Sequence, residues 1–255
     1  MNLKRQAHSI SKIFFIFEDP LFYFGDKVNF FGDGKDVLVK LKNGLKLKIR
    51  TGNSDINTIT DFYFSKEYVN FMESIDAGQT FVDLGANFGF LSLLAAKRGA
   101  KTFSFEPHPR LFETLKENFK INDLLGNFLN YGVSGNGGNL KLYFHNDKNS
   151  LGGSILKNDF MGNNVGFYDI RTITFERIFS LCGIDHIDFL KMDIEGAEEE
   201  VVNTIKPAVF KKIGKMYIEY HEPRVDVSAI IRKIAPTHKV TMIKEPQAII
   251  CERVK

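Results

Sequence analysis

Apolar residues along this chain recur either at every second position or every three to four, and the switches between those periods divide it into elements. Residues 36–50 alternate apolar and lysine positions around Asn43-Gly44, which predicts a β-hairpin. Its lysine face reads most simply as a solvated edge, and functionally as an electropositive wall near an anionic substrate. Before it, residues 1–34 hold a basic start and a Phe-rich stretch, predicting helical pieces and turns, and 53–72 predict a loop and helix. A short β-rich run at 80–82 then meets a glycine-punctuated turn and an apolar helical pattern. Residues 103–105 predict a second strand, 111–121 an amphipathic helix and 128–133 a third strand. A turn at 136–139 leads into alternation over 140–144. Residues 146–166, rich in Asn, Gly and Ser, predict a mobile loop over a ligand or a plain surface loop. Helical spacing over 172–181 starts at Thr174, a possible N-cap. A buried strand at 187–192, a helix to Ile205 and a strand at 215–221 follow. The chain closes with a helix at 225–235 and strands at 239–244 and 248–254, whose short link makes them antiparallel. Strands and helices in this alternation predict an α/β fold with a mostly parallel sheet and a reversed terminal hairpin. The predicted division is an extension with the hairpin over 1–50 and a main domain over 51–255.

Composition narrows the class without naming it. The chain of 255 residues is 44% hydrophobic and 25% charged, ordinary for a globule that buries a full core. Phenylalanine is abundant, 25 copies against no tryptophan, which reads as a packing habit. A net charge of +3 is too mild to argue for nucleic acid. Cys182 and Cys251 sit in apolar settings, so neither a disulfide framework nor a zinc site is expected, and a reducing, cytoplasmic location is. The apolar run at 13–17 is cut by Glu18-Asp19-Pro20, too short for a transmembrane segment.

The chemistry concentrates in two stretches. In the first, Asp83-Leu84-Gly85-Ala86-Asn87-Phe88-Gly89 joins a strand to a helix. Gly85 and Gly89 permit a sharp turn and the approach of a ligand, and helix N–H groups would face it. The Asp83 carboxylate could hold a cation or a donor. Dinucleotide loops want G-x-G-x-x-G, and its second glycine is missing here, so a cofactor with an amine and ribose hydroxyls suits the loop better than a bare pyrophosphate. Glu106, about twenty residues on and followed by Pro107, stands where an acid binds ribose hydroxyls. In the second stretch, Lys191-Met192-Asp193-Ile194-Glu195-Gly196-Ala197-Glu198 puts acids at the carboxyl end of a strand, and Glu219 and His221 end the next one. If the two strands are neighbours, Asp193, Glu195, Glu219 and His221 converge. Such carboxylates repel unless a proton, a cation or a cofactor's ammonium offsets them. His221 has the pKa range of a general base. Asp193 could orient it, take the proton itself, bind the cofactor or hold a metal. Lys191 would act as a base only if desolvated. Mg²⁺ on Asp193, Glu195 and Glu219 is a further possibility. Asp55, Asp61 and Tyr68 are pocket candidates of low specificity.

The D-x-G-x-x-x-G spacing is the usual first loop of S-adenosylmethionine-dependent methyltransferases. Taken with Phe105-Glu106-Pro107, the 190–198 run and Ile218-Glu219-Tyr220-His221, the chain resembles FkbM-type methyltransferases over roughly residues 50–222. That resemblance implies a seven-stranded class I (Rossmann-like) methyltransferase fold. It also implies S-adenosyl-L-methionine as cofactor, held by Asp83, Gly85, Ala86, Asn87, Gly89, Glu106, Pro107 and Asp193, and methylation of a hydroxyl on a sugar, glycan or natural product. Residues 1–35 and those after Pro223 match no pattern of the family. Two other classes stand beside this one: an RNA or DNA methyltransferase, against which no Asn-Pro-Pro-aromatic motif is found, and a catalytically silent cofactor-binding scaffold.

Overall fold

The computed structural model describes residues 11–52, 54–145, 153–154, 165–221, 225–244 and 246–254. Residues 11–16 are helical, and α1 (Pro20–Lys27) follows, capped by the Asp19 carboxylate, which accepts from the Leu21 N–H at 3.0 Å. The alternating stretch forms its hairpin. Strands β1 (Asp36–Lys40) and β2 (Lys46–Arg50) pair antiparallel from Asp36 with Arg50 to Lys40 with Lys46, and the turn uses a left-handed Gly44. Val39, Leu41, Leu45, Leu47 and Ile49 are buried, while Lys40, Lys42 and Lys46 stay in solvent. The lysine face is a solvated edge.

Two helices where one was expected, α2 (Asp55–Phe64) and α3 (Lys66–Glu73), break at Ser65, whose hydroxyl caps the second by accepting from the Tyr68 N–H. Then come β3 (Thr80–Leu84), α4 (Phe90–Lys97), β4 (Lys101–Phe105) and α5 (Pro109–Ile121). The hairpin packs on α5 through amides that imitate a neighbouring strand. Asn118 accepts from the Lys48 N–H at 2.6 Å and donates to the Lys48 carbonyl at 3.1 Å, and Asn122 does the same for Lys46 at 2.8 and 2.6 Å.

The run 128–133, read as one strand, is split: β5 (Asn127–Leu129) joins the main sheet, and β6 (Gly132–Val133) joins another. That second sheet has the order β6-β9-β7-β8, with β7 (Gly138–His145), β8 (Gly153–Ser154) and β9 (Val165–Ile173). Strand β9 replaces part of the loop and of the helix expected there; most of the 146–166 segment lies outside the described residues. Helix α6 (Phe175–Cys182) begins after Thr174, which occupies the N-cap position without a capping side-chain bond.

The main sheet is completed by β10 (Ile187–Met192), β11 (Ile213–Glu219), β12 (His238–Ile243) and β13 (Ala248–Arg253), in the order β12-β13-β11-β10-β3-β4-β5. All its neighbouring pairs are parallel except those of β13, which runs against both β11 and β12. Helices α7 (Glu198–Thr204), α8 (Pro207–Phe210) and α9 (Val227–Ile234) fill the crossovers. Side chains alternate across the sheet, so each face has its own core. Phe81, Phe189 and Tyr217 pack with the hairpin and α2–α4 side chains, and Val82, Leu190, Met216 and Ile218 with those of α6, α7 and α9. Among the described residues no helix is long and apolar enough to cross a membrane.

Candidate active site

In open α/β sheets the crevice lies beyond the carboxyl ends of the central strands, and here those strands are β3, β10 and β11. Their pairing sets Asp83 beside Lys191, and Lys191 beside Tyr217. By strand alternation Glu219 falls on the same face as Tyr217, two residues later. A row of ionisable groups thus crosses the sheet at its active edge.

Lys191 anchors the row. Its Nζ donates to the Gly85 carbonyl at 2.8 Å and lies 3.3 Å from Asp193 and 3.6 Å from Asp83. Burial favours the neutral amine, but Asp193 and Asp83 outweigh it and hold the pKa above the usual lysine range. A base must be neutral, and these two acids favour the charged ammonium, so the geometry supports a positioning role for Lys191 over that of a base. Asp83 finds within the protein the cation and the donor expected of it. It has no exposed surface, accepts from the Ser92 hydroxyl at 2.7 Å, and its cation is Lys191. It reaches the crevice only through that lysine.

The glycines serve packing. A Cβ on Gly85 (φ +78°) would stand 1.9 Å from the Asp193 carbonyl oxygen, and one on Gly89 (φ +89°) 2.3 Å from Cδ1 of Leu115 in α5. Gly85 lets two backbone loops touch, and Gly89 lets two helices approach. Of these, Gly85 also lines the crevice and Gly89 does not.

Two clefts open at this edge and share a wall made by Gly85, Asn87, Asp193 and Glu195. The first adds Glu106, Pro107, His108, Leu111, Val133, Leu142 and Ile170. Its outer wall therefore comes from the second sheet, which sequence periodicity did not reveal. Glu106 accepts from the Asn87 N–H at 2.7 Å and the His108 N–H at 2.8 Å, and burial pushes its carboxyl up to about 7. The acid therefore shapes the loop as well as facing the cleft. His108 was not anticipated. It caps α5 by accepting from the Arg110 N–H, packs edge-on to Tyr168 at 4.7 Å, and burial lowers its pKa to about 4. An acid on the floor and apolar side walls fit a nucleoside: carboxylate for ribose hydroxyls, flat apolar surface for a base.

The second cleft adds Thr58, Asp61, Phe62, Tyr68, Ala86, Phe88, Phe90, Lys191, Glu219 and His221. Asp61 and Tyr68 are thus pocket residues as read. Asp55 is not among them; it is buried and accepts from the Arg50 N–H at 2.9 Å. Glu219 is pushed up to about 8, by burial first and by Asp193 next. The chain turns through left-handed Glu195 (φ +57°) and Gly196, a conformation that costs a glutamate about 1–2 kcal/mol and returns its side chain toward the cleft.

His221 completes the cluster. Its Nε2 is 3.8 Å from Asp193 and 3.6 Å from Glu195, and its Nδ1 is 3.3 Å from Oε1 of Glu198. Burial favours the neutral ring, but the bond to Glu198 and the charges of Asp193 and Glu195 outweigh it, raising the pKa to about 9. Glu198 has no exposed surface; its Oε1 also accepts from the Ile194 and Gly196 N–H groups at 3.0 and 3.1 Å. Sequence reading included Glu198 in the acidic run but gave it no role, because only the start of α7 turns it toward a histidine 23 residues away. For a metal ion, ligand atoms of Asp193, Glu195 and His221 lie within 4.8 Å of one another, and Glu219 falls outside that group. Attraction between an imidazolium and two carboxylates accounts for the same grouping. A histidine nitrogen in place of the expected third carboxylate also suits Mg²⁺ poorly.

Known proteins carry the same architecture. A sequence profile for the Methyltransferase FkbM domain matches residues 83–239. Over 171 residues the chain is 28% identical to methyltransferase sdnD of Sordaria araneosa, a match covering 56% of this chain and 66% of that protein. It is 29% identical over 79 residues to an uncharacterized protein of Methanocaldococcus jannaschii, covering 31% of this chain and 30% of that one. The chain thus spans just under two thirds of the first relative and under a third of the second. Among solved structures, a 16S rRNA N2 methyltransferase of T. thermophilus, in complex with AdoMet and guanosine, superposes with a TM-score of 0.51. That match covers 88% of this chain and 51% of the other at 12% identity, and so speaks to the fold alone. The strand order with its single reversed strand is that of the class I methyltransferases, and with the profile spanning more than half its length, the chain belongs to the FkbM methyltransferase family.

Proposed function

We propose that this protein is an S-adenosyl-L-methionine-dependent O-methyltransferase whose acceptor is a hydroxyl of a sugar, glycan or natural product. The observation that carries the reading is the shared wall: a cleft suited to a nucleoside abuts a second one holding a histidine. Glu106, Pro107, Gly85 and Asn87 would hold the cofactor, with Asp193 at its border. The cofactor, when bound, supplies a methyl group already activated on a sulfonium. The protein's remaining tasks are alignment and removal of the acceptor's proton. His221 is the candidate base, with Nε2 toward the cleft, and Asp193 and Glu195 stabilise the imidazolium that forms. Lys191 holds the Gly85 carbonyl and Asp193 in fixed relation.

Near neutral pH the free protein keeps His221 charged, so the base form must be generated. A cationic ligand against the shared wall would offset Asp193 and Glu195 and lower that pKa. The second cleft carries Asp61, Asp193, Glu195 and Glu219 against Lys191 and His221, with the rings of Phe62, Tyr68, Phe88 and Phe90. The rings are buried behind the cleft and shape it, while its acids suit a neutral polyol ring and oppose a polyanion such as RNA. The test is mass spectrometry of a glycan and small-molecule panel, with RNA alongside, after incubation with methyl-labelled cofactor. Label on a hydroxyl acceptor is expected, and His221→Ala should lower that turnover by about 10²–10⁴-fold with cofactor affinity unchanged. Label on RNA alone would refute the acceptor class, and binding without turnover on any acceptor would mark a silent scaffold.

A further inference from the structure

We infer that Glu198 is the positioning residue of His221: its buried carboxylate fixes the ring and assigns the neutral imidazole's proton to Nδ1, leaving Nε2 bare toward the second cleft. The inference rests on the reading of His221 as the base and deepens it.

The geometry divides the two ring nitrogens unequally. Nδ1 faces Glu198 alone, at 3.3 Å, and Nε2 faces Asp193 and Glu195 at 3.8 and 3.6 Å. The other charged neighbours are Glu219 on the strand that leads to His221 and Lys191 on β10. Glu198 is wholly buried, whereas the side chains of Asp193 and Glu195 are 26% and 41% exposed. Glu195 and the outer oxygen of Asp193 keep contact with solvent, whereas neither oxygen of Glu198 does; its Oε2, like Oδ1 of Asp193, is buried with no hydrogen-bond partner among the described residues. Oε1 is already pinned by the Ile194 and Gly196 N–H groups, so it cannot swing away from the ring. It sits in the first turn of α7, where a carboxylate is favoured by the helix dipole. An ionised carboxylate only accepts hydrogen bonds, so the nitrogen beside it must carry the hydrogen. A neutral ring held that way has its lone pair on Nε2, the atom that can take a proton from an acceptor hydroxyl. A fixed acid behind one nitrogen, setting the tautomer of the other, is the logic of a carboxylate–histidine pair in acyl-transfer enzymes.

A role limited to holding the 194–196 turn would leave the tautomer indifferent, so the tautomer is the measurement. Long-range ¹H–¹⁵N spectra of the full-length protein with labelled histidine, above the pH of about 9 at which the ring becomes neutral, report which nitrogen is protonated. His221 is assigned by loss of its signal in His221→Gln. The expected result is Nδ1–H in the native protein. In Glu198→Gln, where the acceptor is uncharged, a mixture of tautomers is expected. Its dissociation constant for S-adenosylhomocysteine should stay within about twofold, and turnover of an acceptor found in the panel should fall about 10–100-fold, the scale for outer partners of a working histidine. An Nε2–H tautomer in the native protein would overturn the inference, and needs no variant to fold. So would native turnover and tautomer in Glu198→Gln while His221→Ala is inactive. If His221→Ala keeps its turnover, the reading of His221 as base fails, whatever the tautomer.

Discussion

Replacing Gly85 by alanine separates two explanations for a glycine beside a ligand cleft. Read as a ligand site, the missing side chain leaves room for the cofactor. In the structure the room is taken by protein: the new Cβ would meet the Asp193 carbonyl oxygen at 1.9 Å and its carbon at 3.1 Å. A comfortable C···O approach is about 3.3 Å, so the loops must part by about 1.4 Å. Both are tied down. Gly85 and Ala86 donate to the Phe105 carbonyl at 3.0 and 2.9 Å, Asp193 donates to the Leu84 carbonyl at 3.1 Å, and Lys191 clamps the Gly85 carbonyl. A left-handed alanine costs about 1–2 kcal/mol, and overpacking a rigid contact about 1–3 kcal/mol. Gly85→Ala should therefore lose about 2–5 kcal/mol of folding free energy, a large share of the roughly 5–15 kcal/mol available to a domain. Urea unfolding would read this as a lower midpoint, and calorimetry with S-adenosylhomocysteine as weaker binding, since Asp193 moves. Gly89→Ala, which meets the flexible end of Leu115, should lose stability while keeping affinity. The reasoning is refuted if Gly85→Ala unfolds like the native protein yet no longer binds the cofactor product; the glycine would then make space for the ligand after all.

Other outcomes follow from the same charges. Lys191→Met strands Asp83 as an unpaired buried charge and should destabilise by about 3–5 kcal/mol, and adding Asp83→Asn should recover much of it, as read by urea unfolding. Glu106→Gln should weaken S-adenosylhomocysteine binding by about 1–3 kcal/mol in calorimetry, the worth of a hydrogen bond to a charged group. The folded pKa values of Glu106, Glu219 and His221 are all raised, to about 7, 8 and 9. Through these groups the folded state holds protons that the unfolded chain releases, while His108 and His238, lowered by burial, act the opposite way below about pH 6.5. Stability should therefore fall as pH rises from about 7 to about 9. Denaturation midpoints across that range should decline, and less steeply in Glu219→Gln. For acceptor methylation, kcat/KM should climb toward pH 9 as His221 loses its proton, and a profile flat from pH 7 to 10 would exclude it as the base. Exhaustive chelation should leave turnover unchanged, which would place Asp193, Glu195 and His221 in proton rather than metal chemistry.

What the chain announces locally, it also builds. Residues 80–97 encode strand, turn and helix through neighbours in sequence, and 187–221 through two apolar runs each ending in polar residues, so both could be read directly. Convergence of Asp193, Glu195 and His221 needed one further step, the adjacency of β10 and β11, which parallel topology makes a natural guess. Roles that depend on distant partners were not legible. Asp83 turns inward because Lys191 and Ser92 wait beneath it, and Gly85 is a glycine because of a carbonyl 108 residues away. Strand β9 was hidden because its pairing with β7 and β6 is entirely long-range, and because the helical spacing of α6 blurs backward across Thr172 and Ile173. The outer wall of the first cleft went unseen for the same reason.

The amides of Asn118 and Asn122 have a consequence for how this protein can be divided. A strand's outer edge invites pairing with another chain, and β2 meets that hazard by borrowing two side chains from α5, about seventy residues later. Until that helix has formed, the hairpin's exposed N–H and C=O groups have no such substitute. During synthesis the first fifty residues must therefore wait for the helix that shields them, and released alone they would offer a bare ribbon for self-association. The hairpin precedes that helix in the chain, but its finished form depends on what is made after it.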